Sequence, residues 1–207
     1  MKVTDKIQIT NEDNIKLMAR YEDNYFDLAI VDPPYGIGNF VQQTGNKRGD
    51  KVNWNNSPPN KKYFNELLRV SKEQIIWGAN YYNCFNNKGG AIIWNKGVKR
   101  ETNFSVCEIA SYSRLKRIDY VDIKWQNLNR IEATIHPCQK PIKLYEWLLM
   151  NYAKQGYKIL ETHLGSGSIA IASHNLGYEL TACELDKGYY DASIKRIKDH
   201  ISQQRLF

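Results

Sequence analysis

Short apolar runs alternate with amphipathic ones along almost the whole chain, and this alternation restricts the fold more than any other feature. Strand-like runs lie at 6–10 (KIQIT), 27–31 (DLAIV), 73–77 (EQIIW), 90–94 (GAIIW), 106–112 (VCEIASY), 157–161 (YKILE) and 179–183 (ELTAC). Helix-like stretches fill 14–22, 61–71, 141–154, 167–176 and 186–202. Strands and helices in alternation predict an α/β fold built on a doubly wound, mostly parallel sheet. Ligands of such a sheet bind outside the C-terminal strand ends, near a topological switch point. A chain of 207 residues suits one domain, 1–207, with a sizeable core.

Two stretches depart from the alternation. Residues 38–62 (GNFVQQTGNKRGDKVNWNNSPPNKK) are rich in Asn, Gly, Pro and Lys. Loops this long inside a compact domain are usually functional or disordered. Residues 114–135 (RLKRIDYVDIKWQNLNRIEATI) mix basic and aromatic side chains, which suits contact with a phosphate backbone plus base stacking. Both are expected to be target-recognition insertions; a solvated insertion has the same composition.

Composition narrows the function classes. Hydrophobic residues make up 42% and charged residues 25%, and no apolar run reaches the roughly 18 residues of a membrane span. The opening MKVTDKIQIT lacks the apolar core of a signal peptide, so a cytoplasmic location is expected. Cys84, Cys107, Cys138 and Cys183 are scattered without CxxC spacing, and the four histidines are dispersed, so neither a metal site nor a disulfide framework is expected. A net charge of +7 makes nucleic acid the first partner to consider, because a basic surface gains from counterion release.

Two strand ends carry chemistry. The run FDLAIV leads into Asp32, then Pro33, Pro34, Tyr35, Gly36 and Gly38: a carboxylate, a rigid kink and an aromatic ring at one point. The strand ending at Glu161 runs into a glycine turn, Gly165, Ser166, Gly167 and Ser168, and a helix opens behind it. Glycine lets backbone approach a ligand closely, and the helix N-terminus offers unpaired N–H groups. The next strand ends at Glu184, 19 positions after Gly165, where a carboxylate can accept hydrogen bonds from both ribose hydroxyls. The ligand is then a nucleoside-containing cofactor. NAD and S-adenosyl-L-methionine both satisfy this pattern.

DPPY after a strand, HPCQKP at 136–141 and then LGSGS resemble the beta group of amino-directed DNA methyltransferases, in which the catalytic motif precedes the cofactor loop. FDLAIVDPPYGIG, IIWGANYY, AIIWNKG, HPCQKPIKLYEWLL and LGSGSIAIASHNLGYELTACELDKGYYDASIKRI look like family segments in family order, over nearly the whole chain. The resemblance implies a Rossmann-like, seven-stranded methyltransferase sheet with circularly permuted motif order. The strand of the glycine loop then lies beside the strand of DPPY.

It also implies the reaction: transfer of a methyl group from S-adenosyl-L-methionine to an exocyclic amine of a base extruded from double-stranded DNA. Asp32 and the Pro33 carbonyl would accept the two N–H groups of that amine, with Pro34 fixing the turn and Tyr35 stacking on the base. Asp32 in place of serine favours adenine N6 over cytosine N4. By the same resemblance Asp13 lies near the adenine ring of the cofactor, an N-cap role being its alternative. His136, Cys138 and Lys140 lie by the methionine end, with Lys140 facing the carboxylate. Glu161 reaches the amino group.

Glu161 stands where the family usually has Asp, Thr162, His163 and Leu164 where it usually has Pro and Phe or Leu, and Cys138 where it usually has Thr or Ser. His163 is expected to be a packed neighbour of the site. The PCQ around Cys138 is also the nucleophile motif of cytosine-C5 methyltransferases, but that family places its glycine loop first and has no DPPY. A catalytically silent nucleic-acid-binding module and an NAD-linked oxidoreductase are the rivals from other classes. The tail QQRLF (203–207) resembles a bacterial sliding-clamp peptide, and a docked helix end would read the same. So little chain lies outside the catalytic motifs that recognition falls to 38–62 and 114–135 or to a partner subunit, a homodimer included.

Overall fold

The computed structural model describes residues 2–38, 57–84, 89–99, 101, 105–125 and 134–204. Most of 38–62, residues 126–133 of the second expected insertion and the last three residues of QQRLF lie outside that set.

Among the described residues, eight strands form one sheet: β1 (Ile7–Asn11), β2 (Phe26–Val31), β3 (Ser71–Trp77), β4 (Ala91–Asn95), β5 (Cys107–Tyr112), β6 (Ile118–Asp122), β7 (Lys158–Glu161) and β8 (Glu179–Glu184). Their spatial order is β1-β8-β7-β2-β3-β5-β4-β6. All neighbouring pairs are parallel except those made by β5, which runs against both β3 and β4. The expected seven strands are all present. The eighth, β6, falls inside the stretch 114–135, where its alternation of exposed and buried residues is spread among charges and only Val121 is buried. It is an edge strand, which needs one apolar face at most.

Six helices among the described residues cover the sheet: α1 (Asn14–Met18), α2 (Lys61–Val70), α3 (Ala79–Tyr82), α4 (Ile142–Tyr152), α5 (Ser168–Leu176) and α6 (Lys187–Gln204). On one face Leu28 and Ile30 of β2 pack in a cluster with Leu144 and Leu148 of α4, Ile169 of α5 and Ile197 of α6. On the other, Ala29 and Val31 pack with Leu17 of α1 and Leu67 of α2. Burial on both faces explains why β2 reads as an unbroken apolar run rather than an alternating one.

The placement of β2 decides where chemistry occurs. It pairs in parallel with β3 on one side and with β7 on the other, Leu28 opposite Ile159 and Ala29 opposite Leu160. The β2–α2–β3 crossover leads one way along the sheet and β7–α5–β8 the other. The strands ending at Asp32 and at Glu161 therefore lie side by side at the switch point, although 129 positions separate them in sequence. None of the described helices is long and apolar enough to cross a membrane.

Candidate active site

Asp32 follows the last residue of β2 and is clasped from two directions. The hydroxyl of Tyr35 donates to its Oδ1 at 2.8 Å, and the ammonium of Lys140 donates to its Oδ2. Lys140 is 4% exposed and also pairs with Glu108 at 3.0 Å. Burial pushes the Asp32 carboxyl above the ordinary aspartate range, and the Lys140 charge pulls it back down. Burial opposes the charge on Lys140, but the two carboxylates hold it above the usual lysine range.

The DPPY turn is braced by α3. The Tyr82 hydroxyl donates to the Pro33 carbonyl at 2.5 Å and to the Pro34 carbonyl at 2.9 Å. The Tyr35 ring stacks on Tyr81, with centroids 4.8 Å apart and planes 17° from parallel. Gly78, at φ +74°, leaves the space in which the Tyr35 ring sits: a Cβ there would overlap it.

The second half of the site is the turn after β7. Gly165 (φ +53°) and Gly167 (φ +76°) hold left-handed backbone that favours glycine. A Cβ on Gly167 would stand 2.9 Å from Ile197, so α6 packs directly on the turn. Arg196 of α6 donates to the Ser166 carbonyl at 2.8 Å and to the Ser168 hydroxyl at 3.1 Å. Glu184, at the end of β8, accepts from the Gly165 N–H at 2.8 Å and from the Asp186 N–H at 2.9 Å.

Glu161 is 1% exposed. Its Oε1 accepts from the Thr162 and His163 N–H groups at 2.8 and 2.9 Å, and burial pushes the carboxyl up to about 8. His163 bridges the two halves of the protein: it hydrogen-bonds Thr162 at 2.9 Å and Asn14 at 3.0 Å, and Tyr63 of α2 bonds Thr162 at 2.6 Å. Burial drives the His163 imidazole down to about 3, so it stays neutral. It is a packed linker of α1, α2 and the glycine turn.

The segment 134–141 spans both halves. The His136 ring lies against Gly165, where a Cβ would stand 3.7 Å away, and edge-on to Tyr189 at 4.5 Å. Its Nδ1 accepts from the Cys138 N–H at 3.2 Å. Four positions later Lys140 reaches Asp32. Of the expected cofactor-side residues, His136 and Glu184 meet Gly165 of the glycine turn, whereas the Lys140 ammonium lies between Asp32 and Glu108 with Cys138 near the same charges. Asp13 caps α1, accepting from the Ile15 and Lys16 N–H groups at 3.0 and 3.2 Å. Surrounding protein and the nearby Asp32 push the Cys138 thiol up to about 11, which withholds the thiolate a nucleophile needs.

Reading the sequence alone missed Glu108, Lys96, Gly78, Tyr81 and Tyr82. The one visible signal for Glu108 was a carboxylate inside an apolar strand, VCEIASY.

The donor set fits the adenosyl cofactor. A buried acid with a raised pKa suits a cationic amino group, the two positive-φ glycines leave room for a ligand against backbone, and Glu184 offers oxygens for ribose hydroxyls.

A β5-inverted parallel sheet whose switch point joins an Asp-Pro-Pro-Tyr turn to a glycine turn defines a Rossmann-like methyltransferase fold. Solved DNA methyltransferases share it. The M1.HpyAVI–SAM complex superposes with a TM-score of 0.61 at 17% identity, covering 92% of this chain and 98% of that one. The cytosine-N4-specific PvuII DNA methyltransferase superposes at 0.63 with 12% identity, covering 97% and 93%. Residues 93–195 match the family model described as DNA methylase, of the N6/N4 type. Among curated relatives, the type II methyltransferase M2.DpnII of Streptococcus pneumoniae is 25% identical over 166 residues, 79% of this chain. The match takes in 56% of that relative, so the chain spans little more than half its length.

Proposed function

We propose that the protein is an S-adenosyl-L-methionine-dependent DNA methyltransferase acting on the N6 amine of adenine in an extruded base. One observation carries the reading: β2, which runs into Asp32 and Pro33, pairs in parallel with β7, which runs into the glycine turn. Amine acceptors and a nucleoside-cofactor turn then lie at neighbouring strand ends.

S-adenosyl-L-methionine, when bound, would supply a sulfonium methyl group as the electrophile, with the neutral thioether as its leaving group. The protein's part is positioning. The adenine amine is conjugated with the ring and is a poor nucleophile. Asp32 accepts one of its N–H bonds and the Pro33 carbonyl the other, which localises the lone pair on nitrogen. Each acceptor keeps a lone pair beyond the one used by Tyr35 or Tyr82. Asp32 is far too weak a base to deprotonate a neutral aryl amine, so the proton leaves only after the methyl group has arrived and made the nitrogen cationic. Orientation and electrostatic stabilisation dominate.

Aspartate rather than serine before the two prolines supports adenine over cytosine N4, the second reading. The double-stranded DNA substrate draws support from the family, and a restriction–modification setting from relatives named type II methyltransferases. Cytoplasmic location follows from that setting. The residues of 38–62 and 114–135 are assigned to target recognition, alone or with a second copy of the chain. QQRLF is assigned to a sliding clamp; a pull-down with and without the last five residues tests this, and equal capture would end it.

The deciding experiment incubates DNA with tritiated S-adenosyl-L-methionine and analyses the nucleosides. Labelled N6-methyladenine is expected, lost in Asp32→Ala. No label, or label on cytosine alone, rejects the reading.

A further inference from the structure

The carboxylate of Glu108 touches both clasps of Asp32. Its Oε2 pairs with Lys140 at 3.0 Å and accepts from the Tyr35 hydroxyl at 3.3 Å. Its Oε1 accepts from Lys96 at 2.9 Å. Lys96 is 7% exposed and lies over the ring of Trp125 at 4.7 Å. Asp32, Lys140, Glu108 and Lys96 thus form a line of alternating charge, two negative and two positive, walled by tryptophan. With water largely excluded, each charge in such a line is felt by the next.

Resting on the methyltransferase reading, we propose that Glu108 is a positioning residue for Asp32. By sharing Lys140 it keeps that ammonium from closing on Asp32 alone, and so leaves the Asp32 carboxylate a strong acceptor for the target amine. Lys96 balances Glu108 and sets how much of the Lys140 charge Glu108 draws away. Removing the negative charge at 108 leaves two ammonium groups facing one carboxylate. Removing the positive charge at 96 does the reverse. Nothing in the reaction requires Glu108 to touch substrate.

The titratable groups around Asp32 are Lys140 and Cys138 of the 134–141 segment, Glu108 and Lys96, Tyr35 of its own turn, Tyr63 of α2, Tyr82 of α3, Tyr145 of α4 and Glu161 of β7. The charges at 96 and 108 can be altered without removing the Tyr35 or Lys140 clasp of Asp32.

The test is a carboxyl-carbon NMR titration of Asp32 in the full chain, with its signal assigned through Asp32→Asn. Glu108→Gln, which keeps size and one acceptor, is expected to lower the Asp32 midpoint by about one unit, as loss of a neighbouring like charge does. Lys96→Met is expected to raise it, and the double variant to return it close to the starting value. Glu108→Asp, which keeps the charge, should preserve it. In the methylation assay Glu108→Gln should lower kcat about tenfold with KM for S-adenosyl-L-methionine little changed, and the double variant should recover most of the loss. A peg that merely packs would move neither the titration nor kcat. Single variants that leave the Asp32 midpoint in place, or move it the same way, overturn the proposal. Shifts of opposite sign in a protein that methylates no DNA would support the Glu108 coupling and sink the methyltransferase reading instead.

Discussion

The ammonium of Lys140 donates to the Asp32 carboxylate across 108 positions of sequence. The contact closes the site, because the segment that carries Lys140 also carries His136 against the glycine turn. Lys140 is buried between two carboxylates, so its removal strands both. Lys140→Met is expected to cost about 3–5 kcal/mol of stability, the usual effect of breaking a buried pair from one side. Since the pairing holds Lys140 above the ordinary lysine range, its contribution is complete at neutral pH and is lost only as pH rises through that raised value. Urea unfolding at pH 7 measures the difference.

Gly78 and Tyr35 occupy space that a Cβ would contest. Gly78→Ala should therefore displace the Tyr35 ring and break its hydrogen bond to Asp32. The positive φ adds strain of about 1–3 kcal/mol. Thermal unfolding should show a lower midpoint, and single-turnover methylation a loss beyond what that destabilisation explains, with cofactor affinity retained.

On the proposed reading, Glu161 links cofactor binding to protons. Its carboxyl sits at about 8 in the free protein, above the ordinary glutamate value of about 4.5, so it is mostly protonated at pH 7. That shift supports the free fold below pH 4.5 and the support fades as pH rises to 8. A cationic amino group at Glu161 favours the carboxylate, so binding expels the proton. Affinity for S-adenosylhomocysteine should rise from pH 6 to 8, at most about tenfold per unit, and level off above. Calorimetry in buffers of different ionisation heat should find close to one proton released at pH 6.5. Glu161→Gln should flatten the profile.

Cys138→Ser should leave methylation largely intact, because the thiol stands at about 11 and carries little thiolate at neutral pH. Complete loss of activity in this variant would revive attack by sulfur on a ring carbon.

Much of this arrangement was legible in the sequence because it rests on local rules. The apolar run of β2 ends at Asp32 where two prolines break it. Gly165 and Gly167 take left-handed backbone, and α5 begins one residue later. Asp13 caps α1 as its residue type favours. β6 was hidden because an edge strand with one buried residue shows little periodicity. Lys140 was expected to face a cofactor carboxylate; what the structure finds for it is a charge from β2 and another from β5, and no local pattern encodes either.

The sequence by itself determined every described element except α3 and β6, and the two chemical turns and their order along the chain, since apolar period, proline, glycine and capping residues act over a few positions. The resemblance already implied that β7 lies beside β2; only the tertiary structure decided that α3 braces the DPPY turn, and that Asp32, Lys140, Glu108 and Lys96 line up as alternating charges. Those contacts join residues tens of positions apart. They form because each buried charge needs an opposite one within a few ångströms, and which opposite charge is in reach depends on how the whole sheet is wound.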